Sequence, residues 1–156
     1  AAQGMTGGDK RAAPSAGALY PMDVYAIVGK DRVEFLEAGI YHYEPQGHRL
    51  SQVTKGDLRT AASRIALSQI WMADAPLIIV ITAEYRRIAV KYGDRGTRYA
   101  MIEAGHIGQN IFLQAEALGL RAGIVGAFDD EKLNEAMKIP RSHEPLLMMP
   151  VGYGNE

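Results

Sequence analysis

No cysteine occurs among the 156 residues, which excludes a disulfide framework, a thiol nucleophile and any Cys-ligated zinc or iron–sulfur site. Net charge is scarce as well. The 17 Lys plus Arg against 18 Asp plus Glu leave −1, so no bulk electrostatic pull draws the chain toward nucleic acid or an anionic membrane. Neither is expected as a partner. The longest apolar run, Ala75 to Ala83, falls far short of the ~20 residues a membrane helix needs. No basic start followed by an apolar stretch marks a signal peptide, and the protein is read as soluble and cytoplasmic. There is no initiator Met, and Ala1-Ala2-Gln3-Gly4 read as the last turn of a helix with a glycine stop. The chain is therefore expected to be truncated at its N-terminus.

What is present is ordinary for a globular domain. Apolar residues make up 47% and charged residues 22%, which excludes disorder as the main state. The length fits one domain, residues 1–156. Asp23–Val28 is β-rich and reads as a strand, and Ile40–Glu44 with His48–Leu50 flank Pro45-Gln46-Gly47 as a hairpin. Asp57 reads as the N-cap of a helix over Leu58–Met72, with Leu58, Ala62, Ile65, Ile70 and Trp71 on its apolar face. The β-branched run Leu77–Thr82 predicts a strand buried on both faces.

Thr97–Leu118 carries the longest helical pattern. Ala104, Ile107, Ile111, Ala115 and Leu118 step by three and four, Gly119 stops it, and Gly105 and Gly108 permit close packing. A strand over Ala122–Phe128, a short helix capped by Asp129 or Asp130 through Met137, and a last strand over Pro145–Val151 follow. Strands and helices mix without steady alternation, which predicts an α+β fold with helices on a mixed sheet.

Several constellations bear on chemistry. Glu103 and His106 share the i, i+3 spacing of di-iron bundles, but the second Glu-x-x-His and the further helical glutamates are missing. No metal is expected, and His106 reads as a buried, hydrogen-bonded histidine. Ser15 lies outside any Gly-x-Ser-x-Gly elbow, so it reads as a hydrogen-bond donor to a ligand and not as a nucleophile. Gly4–Gly8 lacks the ending of a phosphate loop, and Gly123-x-x-Gly126 is too short for a dinucleotide fingerprint. The run Lys91-Tyr92-Gly93-Asp94-Arg95-Gly96-Thr97-Arg98-Tyr99 fits a solvated basic helix entry. It also sets Lys beside Tyr, two side chains able to move protons.

Arg11-Ala12-Ala13-Pro14-Ser15-Ala16-Gly17-Ala18-Leu19-Tyr20-Pro21 resembles the signature of the flavin-dependent nitroreductase superfamily. Gly39-Ile40-Tyr41-His42-Tyr43, the Lys91–Gly96 segment, Glu103–His106, Gln109-Asn110, Val125–Asp130 and Met149–Gly152 continue the likeness in order. They are most similar to the SagB-type branch, dehydrogenases that oxidise azolines in thiazole/oxazole-modified peptides. The resemblance implies a three-layer α+β sandwich with a mainly antiparallel sheet flanked by helices. It implies a homodimer with FMN at the interface. Pro14, Ser15, Ala16 and Gly17 would line the flavin, Gly126 and Ala127 would offer backbone groups near its reactive nitrogen, and Gln69 would meet its polar edge.

Lys91 and Tyr92 match the pair implicated in catalysis in that branch, where one takes a ring proton. A lysine in that role needs its ordinary value of ~10.4 lowered toward ~7–8, which Arg95 or Arg98 could do by repulsion. The implied activity is ping-pong hydride transfer between NAD(P)H and a small acceptor, or oxidation of an azoline-type substrate, free or in a modified peptide. The rival is a non-catalytic flavin- or ligand-binding dimer. It is motivated by a departure: relatives hold the FMN phosphate with an N-terminal Arg-Arg-Ser-x-Arg stretch and a basic residue near the C-terminus. Here the chain opens at Ala1 and closes on Asn155-Glu156, leaving Arg11 and Arg98 as stand-ins.

Overall fold

The computed structural model describes residues 1–154; Asn155 and Glu156 lie outside them. Two small strands, β1 (Met5–Gly7) and β2 (Lys10–Arg11), form a hairpin of their own. The main sheet has six strands: β3 (Met22–Val28), β4 (Gly39–Glu44), β5 (Arg49–Lys55), β6 (Leu77–Ala83), β7 (Arg121–Ala122) and β8 (Glu144–Gly152). Their spatial order is β5-β4-β3-β6-β8-β7. The expected mixed sheet pairs antiparallel in every ladder among the described residues.

Burial explains why β6 is central. Ile78 and Val80 point to one face and Ile81 and Ala83 to the other, and all four are fully buried. On the first face Ile78, Val80, Tyr25, Ile27, Ile40 and Met148 pack against α1 (Arg59–Ile65) and α4 (Asp130–Met137), through Ala62, Leu133 and Met137. On the second, Met22, Ile81 and Met149 meet α3 (Arg95–Ala117), through Ala100, Ala104, Ile107, Ile111 and Ala115. Helix, sheet, helix: three layers. Each fully buried Ile or Met contributes roughly 1.5–3 kcal/mol.

The long helix follows its pattern, with two exceptions. Leu118 lies beyond the last turn and is exposed, and only Gly108 of the two glycines sits against a neighbour, beside Ile124, Leu147 and Met149. The helix expected over Leu58–Met72 breaks after Ile65. Leu67 (φ 53°) and Ser68 (φ 60°) turn left-handed, and a 3-10 turn over Ile70–Asp74 follows with Ile70 and Trp71 exposed. Asp57 is not its N-cap in the usual sense; its carboxylate accepts from the Arg59 backbone and guanidinium.

The strand expected over Ala122–Phe128 shrinks to β7 and one bridge, Val125 to Met148. There Gly123 passes so close to Trp71 that a Cβ would stand 3.0 Å from the indole. Ala1–Gly4 forms no helical turn; the segment bends at Gln3 and buries that side chain. No helix among the described residues is long and apolar enough to cross a membrane.

Candidate active site

Pro14–Tyr20 forms a tight turn between β2 and β3. Ser15 is extended, a 3-10 turn follows at Ala16–Ala18, and three residues take positive φ: Gly17 (61°), Ala18 (54°) and Tyr20 (48°). The turn closes on itself, because the Tyr20 N–H donates to Ser15 Oγ at 3.0 Å and Ala18 N–H to the Ser15 carbonyl at 3.1 Å. Glycine stands at its apex, at a φ that a side chain makes costly. A Cβ on Gly17 would stand 2.9 Å from Tyr92 Oη and 3.3 Å from Lys91 Nζ.

Lys91 and Tyr92 thus face the turn from the far side of the sequence. They end α2 (Arg86–Tyr92), a helix unforeseen because Lys91–Tyr99 reads as the basic entry of α3 and not as the end of a separate helix. Gly93 (φ 53°) reverses the chain into α3, and Gly96 lets the helices touch at Ile88. Lys91 Nζ lies 5.4 Å from the Tyr92 ring centroid and is exposed; Tyr92 is half-buried and meets Tyr99 edge-on at 5.0 Å. Arg95 Nε donates to Tyr99 Oη at 2.8 Å, and Arg98 is exposed on α3.

Beneath the turn, Tyr99, Ile102, Glu103 and His106 of α3 join Pro14, Ser15 and Ala16 around a cleft of about 260 Å³. His106 is exposed, contrary to the expected burial, and its Nδ1 reaches the Pro14 carbonyl at 3.3 Å. Glu103 is the buried member, 1% exposed. Burial pushes its carboxyl above the usual range, against the pull of hydrogen bonds from Ser15 and Gln3 and of the nearby Arg11 charge. The sequence presents Glu103 and His106 as an incomplete metal pair, His106 as a buried histidine and both as part of the family resemblance, with no sign that they hold the turn. Their i, i+3 spacing was the available sign that both face one neighbour.

The remaining sequence candidates lie elsewhere. Gln69 follows the break after α1, where its amide donates to the Ala66 carbonyl at 3.1 Å. Gly126 and Ala127 are exposed just after the Val125 bridge, beside Leu146 and Leu147 in the case of Gly126. None of the three lines the cleft under the turn. Arg11 is half-buried, its guanidinium 4.5 Å from the Tyr20 ring centroid. Desolvation holds it below the ordinary arginine value.

A three-layer α+β sandwich thus carries a glycine-apexed turn against a Lys–Tyr pair. Comparison with known proteins identifies its family. The nitroreductase family model matches residues 1–153, and the chain belongs to the nitroreductase family, an oxidoreductase family. The Methanocaldococcus jannaschii protein MJ1384, provisionally named a nitroreductase, is 42% identical over 139 residues, covering 89% of this chain and 68% of that protein.

The Escherichia coli microcin B17-processing protein McbC is 27% identical over 154 residues, 96% of this chain and 57% of McbC. The chain thus spans little more than half of that relative. A chain in the structure of the E. coli microcin synthetase McbBCD complex, with truncated pro-MccB17 bound, superposes with a TM-score of 0.85 at 25% identity. That match covers 99% of this chain and 60% of the other.

Proposed function

We propose that the protein is an FMN-dependent oxidoreductase working by ping-pong between NAD(P)H and a small acceptor, with azoline-type oxidation as its main variant. The observation that carries this reading is the approach of Tyr92 Oη and Lys91 Nζ to the Gly17 α-carbon. Two segments far apart in sequence, each assigned to the site by resemblance, meet there. The fit to a flat ring system rests on the neighbouring cleft, where Pro14, Ser15 and Ala16 face α3 and leave room for a planar group against the backbone. FMN, when bound, would supply reversible two-electron chemistry that no side chain offers.

The chain's own residues would do the rest. Pro14, Ser15 and Ala16 form an apolar and polar wall against one side of the ring. Gly126 and Ala127 offer exposed backbone N–H groups, and Gln69 an amide, for its polar edge. Lys91 Nζ, which is exposed, and Tyr92 Oη beside it would take or return one proton at the substrate. In an azoline oxidation that proton comes from a ring carbon. Because Gln69, Gly126 and Ala127 do not line the cleft under the turn, the complete site is assigned to a homodimer of one-domain chains. Met101, Ile102 and Leu113, exposed on α3, supply apolar surface for it.

The resemblance to McbC, whose name makes it a microcin-processing protein, supports a modified peptide as one substrate class. The test is an absorbance spectrum after incubation with FMN, then turnover of Lys91→Ala. About one FMN per chain, retained by Lys91→Ala while turnover collapses, is the expected result. A wild-type protein that takes up no FMN overturns the reading. A Lys91→Ala variant as active as wild type removes the proton role from Lys91, and a wild type that holds FMN without turnover is the non-catalytic binder.

A further inference from the structure

The Pro14–Tyr20 turn holds a conformation that its own sequence disfavours, since Ala18 and Tyr20 occupy the left-handed region without being glycine. Such strain persists only where surrounding contacts over-determine it. Here those contacts follow one another in a single hydrogen-bonded line. Glu103 Oε1 accepts from Gln3 Nε2 at 3.4 Å, and Gln3 Oε1 accepts from Arg11 Nη1 at 3.1 Å. The Arg11 backbone N–H donates to Tyr20 Oη at 3.0 Å, and the Tyr20 N–H donates to Ser15 Oγ at 3.0 Å. Ser15 and Glu103, the two ends of this line of contacts, line the same cleft. Four separate stretches of chain are tied by the one circuit: the N-terminal segment at Gln3, the small hairpin, the turn and α3.

Glu103 is the member that makes this circuit costly to keep. A carboxyl buried to 1% exposure is unfavourable unless its hydrogen bonds are made, and its second oxygen, Oε2, has no partner. One helical turn further on, His106 holds the Pro14 carbonyl. The helix therefore holds the turn directly at Pro14 and, through Gln3, Arg11 and Tyr20, at its other end.

We propose that Glu103 is a positioning residue: through Gln3, Arg11 and Tyr20 it holds the strained turn so that the Gly17 α-carbon faces Lys91 and Tyr92. This rests on the proposed function for its consequence in turnover, but not for its consequence in the turn itself. Glu103 touches no reacting atom.

Three variants test it: Glu103→Leu opens the circuit at the helix, Tyr20→Phe opens it at the other end on a half-buried side chain, and Glu103→Gln keeps an acceptor in place. Amide hydrogen exchange on the purified protein without added flavin reads the turn directly. Exchange at Ala18–Tyr20 is expected to rise about tenfold or more in Glu103→Leu and in Tyr20→Phe, with β6 amides unchanged, and to return close to wild type in Glu103→Gln. With FMN added, Glu103→Leu is expected to lower kcat in the wild-type background and to add nothing in Lys91→Ala, since the pair it positions is then broken.

Turn amides that stay protected in both circuit-opening variants overturn the proposal. So does an equal rise in β6, which would mark Glu103 as a general stabiliser. Failure of the wild type to bind FMN counts against the proposed function alone, and the exchange result still decides the role of Glu103.

Discussion

The Tyr25 hydroxyl lies 3.0 Å from Nδ1 of His143, joining the middle of β3 to the residue that precedes β8. Burial, then the Asp23 charge, push the Tyr25 phenol well above its ordinary range, so it stays protonated and donates. Burial also holds His143 below the usual histidine value, so its neutral ring accepts. Asp23 stands behind both. Its Oδ1 accepts from His42 Nε2 at 2.9 Å, and Arg87 Nη1 lies 2.7 Å from Oδ2 as a charge contact outside hydrogen-bond alignment.

That pairing predicts a pH dependence. Unfolded histidine titrates near ~6.5 and His143 in the fold titrates lower. The unfolded chain therefore binds the extra proton first as pH falls. The contribution of His143 is complete above about 6.5 and declines below it until the folded value is passed. The melting temperature should drop on acidification from pH 7 toward 5, and His143→Gln should flatten that part of the curve. An identical slope in the variant would refute the assignment.

Arg59 makes a second buried tie. Its guanidinium donates to both Asp57 oxygens and to the carbonyls of Ala73 and Ala75, at 3.0 and 2.7 Å, fixing the loop that feeds β6. Removing one partner of a buried pair costs about 3 kcal/mol or more. Arg59→Leu is expected to lower the melting temperature by roughly 10 °C. Gly29→Ala should behave similarly, because its Cβ would overlap the pinned guanidinium. Hydrogen bonding to Arg59 also holds the Asp57 carboxyl far below its usual range. Its share of stability is present above the ordinary carboxylate value of ~3.9 and is lost as pH falls below that.

Gly17→Ala separates site from backbone. The new methyl would stand 2.9 Å from Tyr92 Oη, so FMN uptake should weaken by at least about tenfold, measured by titration of flavin fluorescence. Gly8→Ala is the control: Gly8 has a similar φ of 56° with open space around it. It should leave FMN affinity unchanged. Equal losses in both would show that the approach to Tyr92 does not matter.

Asp129 caps α4 by accepting from the Lys132 N–H at 3.0 Å. Asp129→Ala should cost about 1 kcal/mol in a urea titration, since an N-terminal N–H loses its acceptor. The loss should reach the core because Leu133 and Met137 hang from that helix.

Patterns of burial explain what could be read in advance. β3, β6, β8 and α3 bury large faces, and their apolar spacing announces them. The β4–β5 hairpin announces itself through Gly47, whose φ is 83°. The break after Ile65 carries no such mark, since Leu67 and Ser68 are not residues that signal a left-handed turn. The β1–β2 hairpin and β7 are too short for any periodicity.

At the site, Pro14–Gly17 and Lys91-Tyr92 were each legible as segments through resemblance. Their contact was not, because it depends on α2, a helix hidden among charged residues. The roles of Gln3, Arg11 and Tyr20 were invisible for a related reason. Each makes a hydrogen bond that only the folded chain brings within reach.

The strand order has a consequence for how the protein is made. β6 pairs with β3 on one side and β8 on the other, but β8 comes last in the chain. A nascent polypeptide on the ribosome can assemble β3, β4, β5 and β6, yet one edge of β6 stays unpaired until β8 emerges. During that interval Ile78, Val80 and Ile81 border an open sheet edge, the kind of surface that captures other unfinished chains. Slowing synthesis between α3 and β8 should therefore raise the demand for chaperones more than slowing it before β3.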